Sequence, residues 1–140
     1  MRHLPKMLRA AMAAVFTMAA FTGAVLATSD SFYGDGLNHD ATVTYYYTWR
    51  YHTGGKISAS VNNGPNWNND VRIGLRNQSD GAQFTATKQF PADTVTRSFT
   101  DWGGGLTFSA RWFGMNARMV QSCGFNCDDD FGGTINFSLP

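Results

Sequence analysis

Glutamate is missing: all ten acidic residues of this 140-residue chain are aspartate. Charged residues make up only 15% of the chain and nearly cancel, at +1. No basic stretch stands out, so neither nucleic acid nor an anionic membrane surface is an expected partner. Only two cysteines occur, Cys123 and Cys127, in C-G-F-N-C. That spacing is not C-x-x-C, and no second Cys or His pair completes a tetrahedral site, which argues against redox or zinc chemistry. Beyond the N-terminal segment only His39 and His52 remain as histidines. Nucleophile elbow, H-E-x-x-H, phosphate loop and serine motifs are all absent. No cofactor or metal is expected. An enzyme would need a spatial triad joining His39 or His52 to an Asp and a Ser.

Gly, Asn, Thr, Ser and aromatic residues fill the space that helix formers leave, and these are residues of strands and turns. The clearest pattern is Ala41 to His52, A-T-V-T-Y-Y-Y-T-W-R-Y-H. Read with period two, one side carries Ala41, Val43, Tyr45, Tyr47, Trp49 and Tyr51. The other carries Thr42, Thr44, Tyr46, Thr48, Arg50 and His52. Such alternation predicts one long half-buried strand with its aromatic side inward. His52 then falls on the wet side, as a surface or rim residue.

The N-terminus reads as a secretory signal peptide. Arg2, Lys6 and Arg9 precede an apolar core from Ala10 to Phe21, too short to span a bilayer, and Val25-Leu26-Ala27 suits a signal peptidase. Residues 1–27 are the expected leader, 28–40 a flexible arm and 41–140 the folded domain, with no membrane span. A cut after Ala27 leaves eight basic residues against ten acids, a charge of about −2. Export makes a Cys123–Cys127 disulfide the expectation, and so short a loop gains only ~2 kcal/mol, enough to fix a local turn.

Along the chain, Thr53-Gly54-Gly55 reads as a three-residue loop into a strand over 56–61. That register sets Tyr51 opposite Ile57, Trp49 opposite Ala59 and Tyr47 opposite Val61. Further strands are predicted over 71–76, 82–90, 94–100, 106–113, 117–122 and 134–139. Seven to eight short strands with regular turns predict an all-β fold, a single antiparallel β-sandwich, with a small β-barrel as the alternative.

Candidate binding residues lie in the arm (Phe32, Tyr33), on the wet side of the first strand (Tyr46) and in the turns. Trp67 sits among asparagines, with Asn66 and Asn68 beside it, and suits stacking on a sugar or anchoring in a protein interface. Trp102 occupies the D-W-G-G-G turn, and Phe125 the cysteine loop, where a protease inhibitor would present it. Asp128, Asp129 and Asp130 offer oxygens to calcium, but not in the spacing that wraps an ion.

These features predict a secreted, extracellular, non-enzymatic module that binds another secreted or cell-surface protein. The alternatives are polysaccharide or cell-wall binding, or an antimicrobial or inhibitor role. In layout (signal peptide, one compact β-domain, no catalytic motif) the chain is similar to the small subunits of actinobacterial umbrella-type toxins. That likeness implies an adaptor subunit in a multi-protein antibacterial complex.

Overall fold

The computed structural model describes residues 26–38, 40–65, 70–123 and 130–139. Among them there is no helix, and the chain forms nine strands: β1 (Leu26–Gly34), β2 (Thr44–Tyr45), β3 (Arg50–Gly55), β4 (Ser58–Asn63), β5 (Val71–Asn77), β6 (Lys88–Phe90), β7 (Arg97–Ser98), β8 (Phe108–Met119) and β9 (Phe131–Leu139). They build two antiparallel sheets. The first runs β1-β9-β4-β7; the second runs β2-β8-β5-β6, with β3 also paired to β8. The barrel alternative is set aside, because β1 and β7 leave the first sheet open at both edges. The leader expected over 1–27 falls almost wholly outside the described residues.

Period-two burial explains each sheet. In β5, Val71, Ile73 and Leu75 are buried while Arg72 is not. In β9, Phe131, Ile135 and Phe137 turn inward, and in β4 Ala59 and Val61 join them. These side chains form one core with Phe113, Met115, Ala117 and Met119 of β8. Gly133 lets the first sheet close: a Cβ there would lie 1.9 Å from the Ser60 carbonyl oxygen.

Five expectations need correction. Residues 28–34 are not a flexible arm; they pair along β9, from Leu26 opposite Leu139 to Gly34 opposite Phe131, and Phe32 enters the core. The ribbon 41–52 is not one strand; β2 and β3 follow one another along the same edge of β8, separated by 46–49. Tyr45 is opposite Asn116 and Arg50 opposite Phe113, so the ribbon spends two more residues than β8 between these pairs and bulges outward.

The inside and outside of that ribbon are also reversed. Arg50 and His52 are buried, whereas Val43, Tyr45 and Tyr47 are exposed. The inward arginine is tolerated because its Nε donates to Asp30 at 2.6 Å and its Nη2 to the Ser31 carbonyl at 3.2 Å. The inward imidazole accepts the Ser138 N–H at Nδ1, 3.2 Å away. Finally, β3 and β4 do not form a hairpin. Gly54 and Gly55, at φ of 133° and 103°, send the chain from the second sheet into the first. The strands expected over 106–113 and 117–122 are one continuous element, β8, whose Ala110 and Trp112 face outward.

Candidate functional site

Because the ribbon is turned over, its aromatic side lies on the outer face of the second sheet. Tyr45 is 53% exposed and Tyr47 70% exposed, and Trp112 on β8 is 51% exposed. Tyr51 stands opposite Trp112, and their rings meet at 5.3 Å and 52°. Tyr47 meets Trp49 edge-on, at 6.2 Å and 78°. The bulge can fold down here because β8 carries glycine beneath it: a Cβ on Gly114 would lie 2.7 Å from the Trp49 ring.

Arg76 organises this patch. Its guanidinium carbon lies 5.1 Å from the Tyr45 ring, 4.8 Å from Tyr47 and 4.9 Å from Trp49. Each cation–π contact contributes about 0.5–1 kcal/mol when partly exposed. The Arg76 Nη2 donates to the Tyr46 carbonyl at 3.1 Å, tying the strand to the bulge, while its Nε is buried without an acceptor. Tyr45 of β2 and Tyr47 and Trp49 of the bulge are thus held in place by one buried charge.

Beside this patch lies a groove of about 210 Å³ on the same sheet. Arg72 and Arg118 wall it, Val43 closes one side, and Gly74, Gln83 and Asn116 line it. The Asn116 Nδ2 donates to Gln83 Oε1 at 2.8 Å, and Gln83 Nε2 donates to the Thr85 carbonyl at 2.8 Å.

The residues singled out from sequence fall in several places. Phe32 is in the core; Tyr33 is exposed and its hydroxyl donates to Asp130. Tyr46 is half-buried, packs on Phe131 at 5.5 Å and donates its hydroxyl to the Asp35 carbonyl at 2.9 Å. Trp102 is 70% exposed on a rigid turn, whose Asp101 Oδ1 accepts the N–H groups of Gly103 and Gly105 at 2.8 and 2.7 Å. Asn66, Trp67, Asn68, Phe125, Cys127, Asp128, Asp129 and His39 lie outside the described residues. So does the expected Cys123–Cys127 pairing; Cys123 packs against the core with its Sγ 3.4 Å from Met119 Sδ. Among the described residues no group of three or more His, Cys, Asp or Glu is placed to hold a metal.

His52 is not a surface residue. It is fully buried, and burial lowers its pKa below 6.5, with the positive charge of Arg111 acting in the same direction. On the rim, the Arg97 guanidinium donates to Asp93 at 2.6 and 2.7 Å and holds that carboxyl at about 2.

Sequence reasoning separates the aromatic side of the ribbon correctly but points it inward. It therefore misses Tyr47, Trp49, Arg76 and Trp112 as a surface. The available signal is Arg72-x-Gly74-x-Arg76, a polar side of β5 that alternates with Val71, Ile73 and Leu75. Compared with protein-family models, with curated proteins and with solved structures, the chain matches none.

Proposed function

We propose that the protein is an exported, non-enzymatic module that binds another protein through the outer face of its second sheet. The supporting observation is the exposed Tyr45, Tyr47 and Trp112 with the half-buried Trp49 and Tyr51 between them: Tyr45, Tyr47 and Trp49 are fixed around the buried Arg76, and Tyr51 packs on Trp112. Tyr, Trp and Arg are the residues that dominate protein interfaces, and side chains held rigid before binding lose little entropy on contact. The ring angles favour a protein over a polysaccharide. Tyr47 and Trp49 stand 78° apart and Tyr51 and Trp112 52° apart, so they offer edges and pockets instead of a flat stacking platform. An adaptor subunit of a larger secreted antibacterial assembly is one setting that suits such a module.

Affinity purification from the producing culture medium tests the role. Tagged wild-type protein should recover a stoichiometric protein that Tyr47→Ala and Trp112→Ala lose. Recovery unchanged by either substitution, or retention on cell-wall polysaccharide that both abolish, would displace the protein-binding reading.

A further inference from the structure

Arg72 and Arg118 are directly opposed across β5 and β8. Like charges in that position repel, and a cost of this kind is removed when an anion sits between them. Among the described residues neither arginine has an acidic partner; the ion pairs are Arg50–Asp30 and Arg97–Asp93. Asp70, two residues before Arg72, is held by Gln89 Nε2 at 2.6 Å. Arg76 is held in its aromatic cage.

The same groove contains an unsatisfied acceptor. The Thr85 carbonyl can only accept, so it orients the Gln83 amide and, through it, the Asn116 amide. That leaves Asn116 Oδ1 at the groove floor, above Gly74, buried and without a donor. Asn116 is more than nine-tenths buried. The site therefore calls for two things together: negative charge between the guanidinium groups, and an N–H or O–H donor. An acidic peptide carries both, as side-chain carboxylates and backbone amides, and Val43 offers an apolar wall to its methylenes.

We infer that the Arg72–Arg118 groove receives a carboxylate side chain from an acidic peptide segment of the protein partner, an inference that rests on the protein-binding role above. Fluorescence anisotropy with labelled hexaglutamate at low salt, and hexaglutamine as the neutral control, tests it on the full chain. Hexaglutamate should bind saturably and hexaglutamine should not. Arg72→Gln and Arg118→Gln should each weaken binding at least tenfold, whereas Lys56→Gln should change it less than twofold. Equal weakening by Lys56→Gln would reduce the effect to overall charge and overturn the inference. Displacement by an equal concentration of inorganic phosphate would overturn it in favour of a small-anion site. Tighter binding of polygalacturonate would overturn it in favour of a glycan. Loss of partner recovery in Tyr47→Ala, without peptide binding by the wild type, would sink the groove assignment and leave the module role standing.

Discussion

The two sheets present unlike outer faces. On the first, Ser29, Ser31, Thr134, Asn136, Ser58 and Ser60 are aligned in outward cross-strand rows of β1, β9 and β4, and the large exposed side chain is Tyr33, near the end of β1. On the second the outward positions are Tyr45, Tyr51, Trp112, Arg72, Arg76 and Arg118, with Tyr47 and Trp49 on the bulge between β2 and β3. Both sheets bury apolar residues on the inside, so the core does not require this asymmetry. The first face shows how this chain makes a solvated surface: short hydroxyl and amide side chains that suit a strand and attract little. Against that internal standard, the exposed Tyr45, Tyr47 and Trp112 of the second face are more than a solvated surface requires.

The largest expected effect separates the sheets at their glycines. Gly133→Ala places a Cβ against backbone, 1.9 Å from the Ser60 oxygen, and should cost about 3 kcal/mol in denaturant unfolding by prising β4 from β9. Gly114→Ala meets the movable Trp49 ring at 2.7 Å and the Tyr46 carbonyl oxygen at a less severe 3.2 Å, and should cost about 1 kcal/mol, with a shift in tryptophan emission as the bulge lifts. If the two cost the same, the second face is packed as rigidly as the first sheet and the contrast fails.

Binding should separate the faces next. Trp112→Ala should weaken partner affinity about thirtyfold, near 2 kcal/mol, with stability changed by less than about 0.5 kcal/mol. Ser60→Ala and Thr134→Ala on the opposite face should leave affinity within about twofold. Arg76→Ala removes three ring contacts and the bond to the Tyr46 carbonyl, so it should cost about 1–2 kcal/mol in stability. Arg76→Lys should restore only part, because a point charge cannot span the cage as a planar guanidinium does.

The smallest effect is a pH dependence. His52 has a folded pKa below its ordinary 6.5, so below that pH the unfolded chain binds the extra proton. Its contribution is complete above about 6.5 and declines as pH falls towards the folded pKa. His52→Asn should flatten the chemical-denaturation midpoint between pH 7 and pH 5; an unchanged slope would place the imidazole in water.

The fold class was legible because β5, β4 and β9 carry clean alternation: Val71-x-Ile73-x-Leu75, Ala59-x-Val61 and Ile135-x-Phe137. β1 was not legible. Its outward residues are Ala27, Ser29, Ser31 and Tyr33 and its inward ones include Thr28 and Asp30 beside Phe32, so no clean alternation marks it and partners distant in sequence, β9 and Arg50, order it. Period two divided the ribbon into its two sides without saying which faces the core. The more apolar side was expected inside, yet burial of Arg50 and His52 is offset by Asp30, Ser31 and Ser138, which are 20, 19 and 86 positions away. The cage of Arg76 was hidden for the same reason, since its rings come from a bulge 30 residues before it.

Hydroxyl-radical footprinting read by mass spectrometry tests the outward ribbon most directly. In the free protein Tyr45, Tyr47 and Trp112 should oxidise rapidly, the buried Phe113 and Phe131 slowly, and the partner recovered from the medium should protect the first three. Slow oxidation of Tyr47 and Trp112 in the free protein, or protection confined to Tyr33 on the other sheet, would contradict the account.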